Sequence, residues 1–171
     1  MESYVCAKCE NEVSEILDFC PYCGNIFLEN INCVTHPESI AMGACLICEE
    51  AYCSECGGYV NEKFLCAKHE TYEIYESMAK VFGKSDAVYC NYLADVLKQS
   101  DIKAIVYSRK VSPISIGGGE YSLFRASGEY KGHLINEFKV MVPLSDVLNA
   151  ERIIGEIEKS GNHEFLEDDI L

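Results

Sequence analysis

Basic residues are almost missing from the first seventy positions, where Lys8, Lys63 and Lys68 stand against twelve Asp and Glu. Over all 171 residues the formal charge is −14. A phosphate backbone would be repelled by such a surface, so nucleic acid is not an expected partner. No apolar run approaches the roughly 18 to 20 residues needed to span a membrane. Nothing at the start resembles a signal peptide, and the expected location is the cytoplasm. The first seventy residues are also poor in large aliphatics, too poor to build much of a core unaided.

What they have instead is cysteine. Six pairs of zinc-type ligands, each with two residues between its members, fill residues 6–69: Cys6/Cys9, Cys20/Cys23, Cys33/His36, Cys45/Cys48, Cys53/Cys56 and Cys66/His69. Such a step lets two side chains reach one ion from a tight turn, and a closed tetrahedral zinc takes two steps. Twelve ligands therefore predict three Zn²⁺ ions with no coordination position left for a substrate water. That closure marks the metal as structural, supplying the folding free energy the short core cannot. A disulfide framework is the alternative, but paired CxxC steps in a chain without a secretory signal favour thiolate–zinc and a reducing compartment. Ten bound thiolates and three divalent ions would take the net charge to about −18. Only Cys90 is left over.

Residues 1–30 read as a four-thiolate zinc ribbon. Cys6-Ala-Lys-Cys9 is followed after ten residues by Cys20-Pro-Tyr-Cys23-Gly24. Gly24 suits a turn of positive φ behind the second cysteine pair. Ile16, Leu17 and Phe19 are expected on the strand that returns to the metal. The ribbon reads as a compact docking or spacing element, with redox sensing through its thiolates as the sharper alternative.

In residues 31–70 eight ligands can be paired sequentially, nested or interleaved. Sequential pairing would leave two beads with almost no apolar interior. Interleaving lets two metals share one small core and brace each other's loops, and is the expected arrangement. The residues also resemble the B-box zinc fingers, through Cys33-Val-Thr-His36-Pro37-Glu38, Gly43-Ala-Cys45-Leu-Ile-Cys48, Tyr52-Cys53-Ser-Glu-Cys56 and Phe64-Leu-Cys66-Ala-Lys-His69. That resemblance implies a cross-brace, with one zinc on Cys33, His36, Cys53 and Cys56 and another on Cys45, Cys48, Cys66 and His69. His69 stands where other members often carry Cys or another His. It further implies a protein-interaction module, and nothing in the chain adds ligase activity.

Beyond residue 70 the texture changes to Val, Ile, Leu and Tyr in periodic runs. A connector over residues 71–77 leads to a strand over 78–82. Asp86 is the expected N-cap of a helix whose Cys90, Leu93, Ala94 and Leu97 form one apolar stripe. On that stripe Cys90 reads as a small core residue rather than a nucleophile. Strands follow over residues 104–107, near 121–126 and over 137–142. A final helix begins at Ser145 or Asp146, with Val147, Ala150, Ile154 and Ile157 as its stripe. The order β-α-β-β-β-α predicts an α+β sheet over residues 71–160 carrying both helices on one face.

This segment resembles the prokaryotic signal-transducing domain, a ferredoxin-like fold related in shape to the PII regulators. The resemblance rests on Leu97-Lys-Gln-Ser-Asp-Ile102 before its strand and on Val140-Met-Val-Pro143 before the last helix. Ser100-Asp101 replaces the glycine step usual in that family. Its motifs concern folding and transfer no catalytic residue.

Gly117, Gly118 and Gly119 lack a following Lys-Ser/Thr and read as a turn, with phosphate cradling the sharper alternative. His133 and His163 have no neighbouring ligands and default to surface or loop positions. The acidic tail, residues 161–171, is either disordered or a short docking segment.

The expected whole is thus a set of small zinc-stabilised modules, a ribbon and a B-box-like finger, followed by a ferredoxin-like α+β domain. The expected function is a non-enzymatic adaptor in bacterial signalling or regulation, whose zinc modules bind a protein partner and whose ferredoxin-like domain pairs, through open sheet edges, with a partner or with itself. A nucleotide or metabolite sensor built on the glycine turn is the alternative.

Overall fold

The computed structural model describes residues 3–108, 128–130, 133–135 and 137–167. The chain forms two compact units, Met1–Glu73 and Ile74–Leu171.

The first unit is built from short hairpins. β1 (Ser3–Val5) pairs antiparallel with β2 (Glu12–Ser14), Tyr4 opposite Val13. β3 (Gly43–Ala44) pairs with β4 (Ala51–Tyr52), and β5 (Gly57–Val60) with β6 (Lys63–Cys66). The β5–β6 turn uses Asn61 and Glu62, both at positive φ (49° and 65°), the geometry that matches the twist of a two-residue hairpin. Each hairpin closes a metal-ligand turn or aims one at its partner. Strands of two to four residues cannot be independently stable, so their order must come from what they enclose.

The ribbon and the second metal module share one interior. Ala44 N–H donates to Gly24 O at 2.8 Å, and Phe64 N–H to Cys23 O at 3.0 Å. Phe64 is fully buried at their junction, and the edge of the Tyr59 ring meets it at 5.1 Å. Lys8, from the ribbon, places its ammonium 3.2 Å from the centre of the Tyr59 ring. Ile16 and Leu17 are not on a returning strand: β2 ends at Ser14, and both side chains sit in the turn beyond it, 80% and 38% exposed. Phe19 alone pairs back, bridging to Ile26. A strand over all three would have pointed apolar groups at solvent on both faces, because the ribbon offers only Val13, Tyr4 and Phe27 around its cysteines.

The second unit is an antiparallel four-stranded sheet with helices. Its strands are β7 (Ile74–Tyr75), β8 (Met78–Lys84), β9 (Ile105–Tyr107) and β12 (Phe138–Pro143), in the spatial order β7-β8-β12-β9. α1 (Ala87–Gln99) connects β8 to β9. A separate hairpin of β10 (Gly128–Tyr130) and β11 (His133–Ile135) precedes β12 (Phe138–Pro143). A 3₁₀ turn, Leu144–Asp146, then leads into α2 (Val147–Glu167). Both helices pack on β8 and β12 and on each other, which puts them on one face. This arrangement is compatible with a ferredoxin-like domain.

The core lies between that face and the helix stripes. Cys90, Leu93, Ala94 and Leu97 of α1 are buried, as are Val147, Ala150 and Ile154 of α2, against Ala79, Val140 and Val142. Ile157 is only half-buried. Asp86 caps α1, accepting from the N–H groups of Val88 and Tyr89 at 3.0 and 3.1 Å. At its other end Asp101 takes a left-handed φ of 61°, while Ile102 N–H reaches Leu97 O and Asp101 N–H reaches Lys98 O. This is a Schellman ending with Asp where glycine is usual.

Two expectations change, and a third is untested. Residues 71–77 are not merely a connector, since Ile74 and Tyr75 form an outer strand whose register sets Tyr75 opposite Met78. The tail is helical as far as Glu167. The strand expected near residues 121–126 lies outside the described residues.

Candidate metal centres

The twelve ligand residues come together in three groups of four: Cys6, Cys9, Cys20 and Cys23; Cys33, His36, Cys53 and Cys56; Cys45, Cys48, Cys66 and His69. Within each group the ligand atoms lie within 4.8 Å of one another. In the second module the pairing is interleaved, first step with third and second with fourth. Both imidazoles face their thiols through Nδ1. Nδ1 of His36 is 3.5 Å from Cys53 Sγ and 3.3 Å from Cys56 Sγ, and Nδ1 of His69 is 3.4 Å from Cys45 Sγ and 3.3 Å from Cys66 Sγ.

These separations are those of a tetrahedral ion rather than a covalent link. With zinc–sulfur bonds of about 2.3 Å, two thiolates sharing an ion stand about 3.8 Å apart, and a thiolate and an imidazole nitrogen about 3.6 Å. In the ribbon Cys6 and Cys23 are 3.8 Å apart at sulfur, Cys9 and Cys20 3.5 Å. A disulfide needs about 2.05 Å, and all eleven cysteines are free. The three groups fit three zinc ions, each with four protein donors.

Local backbone geometry explains why the ligand pairs point inward. Behind Cys9, Cys23 and Cys48 the chain reverses through a residue of positive φ: Glu10 at 59°, Gly24 at 78° and Glu49 at 60°. In each turn the N–H two places after the second cysteine then reaches its sulfur, from Asn11, Asn25 and Glu50 respectively. Glycine signals only one of the three. Glu10 and Glu49 carry no such mark in the sequence, because the strain of a left-handed acidic residue, about 1–2 kcal/mol, is offset by its neighbours' hydrogen bonds and the metal.

Those amide bonds favour the thiolate form. They work against burial, which pushes the Cys23 thiol up, carries Cys48 to about 12, and with neighbouring Cys33 and Cys53 carries Cys56 to about 11. At Cys9 burial also pushes upward, but hydrogen bonds from Asn11, Cys20 and Cys23 together outweigh it and bring the thiol to about 7. Four such thiols cannot all ionise side by side; a divalent cation removes that conflict.

Support around the centres is uneven. Val13 is buried beside the ribbon site, with Tyr4 and Phe27 packed edge-on at 4.9 Å. Along the Cys45/Cys48/Cys66/His69 site Leu46, Ile47 and Leu65 are buried. There Tyr52 OH lies 3.7 Å from Cys48 Sγ and donates to Glu50 at 2.7 Å, and His69 meets the edge of Tyr72. At the remaining site His36 is exposed.

Cys90 belongs to none of the three ligand groups. Cys90 is fully buried, its thiol directed at the carbonyl of Phe138 at 3.4 Å, where burial raises its pKa. His133 lies on β11 and His163 on α2. Gly117, Gly118 and Gly119 lie outside the described residues. Among the described residues no helix is long and apolar enough to cross a membrane.

Fold and site together define a protein with three four-ligand zinc-type centres joined to an antiparallel α+β unit. No protein-family model, curated protein or solved structure matches the chain.

Proposed function

We propose that the chain is a non-enzymatic adaptor of the cytoplasm, in which a zinc ribbon and a B-box-like cross-brace present a rigid surface to a protein partner. The observation that carries this reading is the filled coordination: each metal group has four protein donors, which leaves zinc a folding role. Supporting it, the zinc unit exposes Ile40, Met42 and Val34 on a surface otherwise dominated by acidic groups. Exposed apolar side chains rimmed by charge are the usual composition of a protein-docking surface. The ferredoxin-like unit, resembling the PII-related signal-transducing domains, would supply the regulatory or self-pairing half through its outer strands. Nucleic acid is not the partner on this reading, because the charge has the wrong sign.

The test is quantitative capture from the native host with the zinc-loaded chain, run beside Ile40→Asp and Met42→Asp forms that retain full zinc. One partner retained by the parent and lost by both variants is the expected result. A bound nucleotide or metabolite, with no partner sensitive to these positions, would move the assignment to a small-ligand sensor.

A further inference from the structure

The three centres differ in what surrounds them, and the difference falls on one. At Cys33, His36, Cys53 and Cys56 two sulfurs belong to buried residues, but His36 is exposed and Cys56 half-exposed. Residues 34–40, which carry His36, are exposed without a break. No apolar side chain among them shelters the site: Val34 is 54% and Ile40 69% exposed. The segment is held chiefly by its own short bonds, Cys33 N–H to Ser39 O and Ser39 N–H to His36 O, with Val34 N–H to Ala51 O tying it to β4. By contrast Leu46, Ile47 and Leu65 are buried along the neighbouring site, and Val13 in the ribbon. A shell of this kind controls solvent access to a metal and the lifetime of its ligands.

We infer that the Cys33/His36/Cys53/Cys56 centre is the exchangeable one: it yields its zinc to an external chelating donor while the other two centres keep theirs, and residues 34–40 lose their anchor when it does. The inference rests on the zinc assignment above. His36 is the point of entry, being the one neutral ligand of the four and the most exposed of them. The remaining two ions and the Phe64 interior hold the rest of the unit in place, so the device is local. Zinc supply would set whether this surface segment, with Val34 and Ile40 on it, is ordered.

The experiment uses the full chain loaded with zinc and an excess of the coloured chelator 4-(2-pyridylazo)resorcinol. One equivalent of three should leave in a separate phase about tenfold faster than the others or more. Amide-exchange protection should fall over residues 33–41 and 53–57 in that phase and persist over 43–52 and 58–66. Cys33→Ser should hold two equivalents and lack the fast phase. His36→Cys, which keeps four ligands and so protects against a folding failure in the first variant, should slow it. Three equivalents leaving together, a fast phase that survives Cys33→Ser, or a rate untouched by His36→Cys overturns the inference. A chain that binds fewer than three ions before chelator is added strikes the zinc assignment itself.

Discussion

Gly24 and Phe64 meet so closely that a side-chain carbon on Gly24 would stand 2.7 Å from Cβ of Phe64 and 2.3 Å from the carbonyl oxygen of Ala44. Neither distance is sterically acceptable, and the φ of 78° at Gly24 adds strain for any other residue. The same aromatic ring is approached by Gly43, whose Cβ would fall 2.5 Å from it, and by Gly57, whose Cβ would fall 3.0 Å from it. Three glycines, one in the turn behind Cys23 and one at the start of each of β3 and β5, therefore make room for one phenylalanine. That ring is the apolar link between the first metal group and the two interleaved ones.

Replacing Gly24 by Ala should cost the zinc unit about 2–4 kcal/mol, from left-handed strain and overpacking together. Thermal unfolding of the zinc-loaded chain, followed through signals of the first unit, measures it. Unchanged stability would show that the junction at Phe64 is loose.

Removing the metals should separate the two units. With a strong chelator, residues 3–73 should lose amide-exchange protection, because zinc binding and folding are one process in so small a core. α1 and α2 should persist, since their stripes pack on Ala79, Val140 and Val142 within a unit that supplies none of the twelve ligands. Far-ultraviolet circular dichroism and exchange at single residues distinguish this from a global collapse.

Acid should act in the same direction as the chelator. Zinc holds its cysteines as thiolates, whereas the unfolded, metal-free unit returns them to the ordinary thiol value of about 8.5, and burial raises Cys48 and Cys56 further wherever the fold persists. The metal-bound pKa values are therefore depressed relative to the metal-free ones. The stability supplied by zinc is present at neutral pH and lost as pH falls through those depressed values. Zinc retained after gel filtration at a series of pH values should decline only on the acid side; loss on raising the pH through neutrality would contradict the argument.

The α1 ending offers a gain. Asp101→Gly removes the left-handed strain at φ 61° and should raise the stability of the second unit by about 0.5–1 kcal/mol, net of glycine's greater chain entropy. Denaturant unfolding of the full chain, read through helix signal, tests it, and a loss of stability would mean that the Asp101 side chain contributes something the backbone does not reveal.

The metal groups were legible in the sequence because ligand spacing is short-range chemistry, and so were the α1 stripe and its cap at Asp86. Interleaving could be argued from the lack of any other interior. What escaped were features whose signal is spread over distant positions. The pocket for Phe64 depends on glycines at 24, 43 and 57, which mean nothing until those segments meet. β7 is two residues long, too short for alternation to show, and owes its place to the antiparallel turn at Glu76 and Ser77 rather than to propensity. Ile16 and Leu17 misled in the opposite way, being apolar residues that the small ribbon has no interior to receive.

The braided ligand order also carries a temporal consequence for the nascent polypeptide. The ribbon has all its donors once Cys23 has emerged, but the next centre must wait for Cys56 and the last for His69. Phe64 emerges between those two events, so the ribbon's final seat on the finger cannot form before most of the finger has been translated. Chains released before residue 69 would leave the ribosome with Cys45 and Cys48 unmetallated, which makes the last few codons of this unit decisive for its quality control.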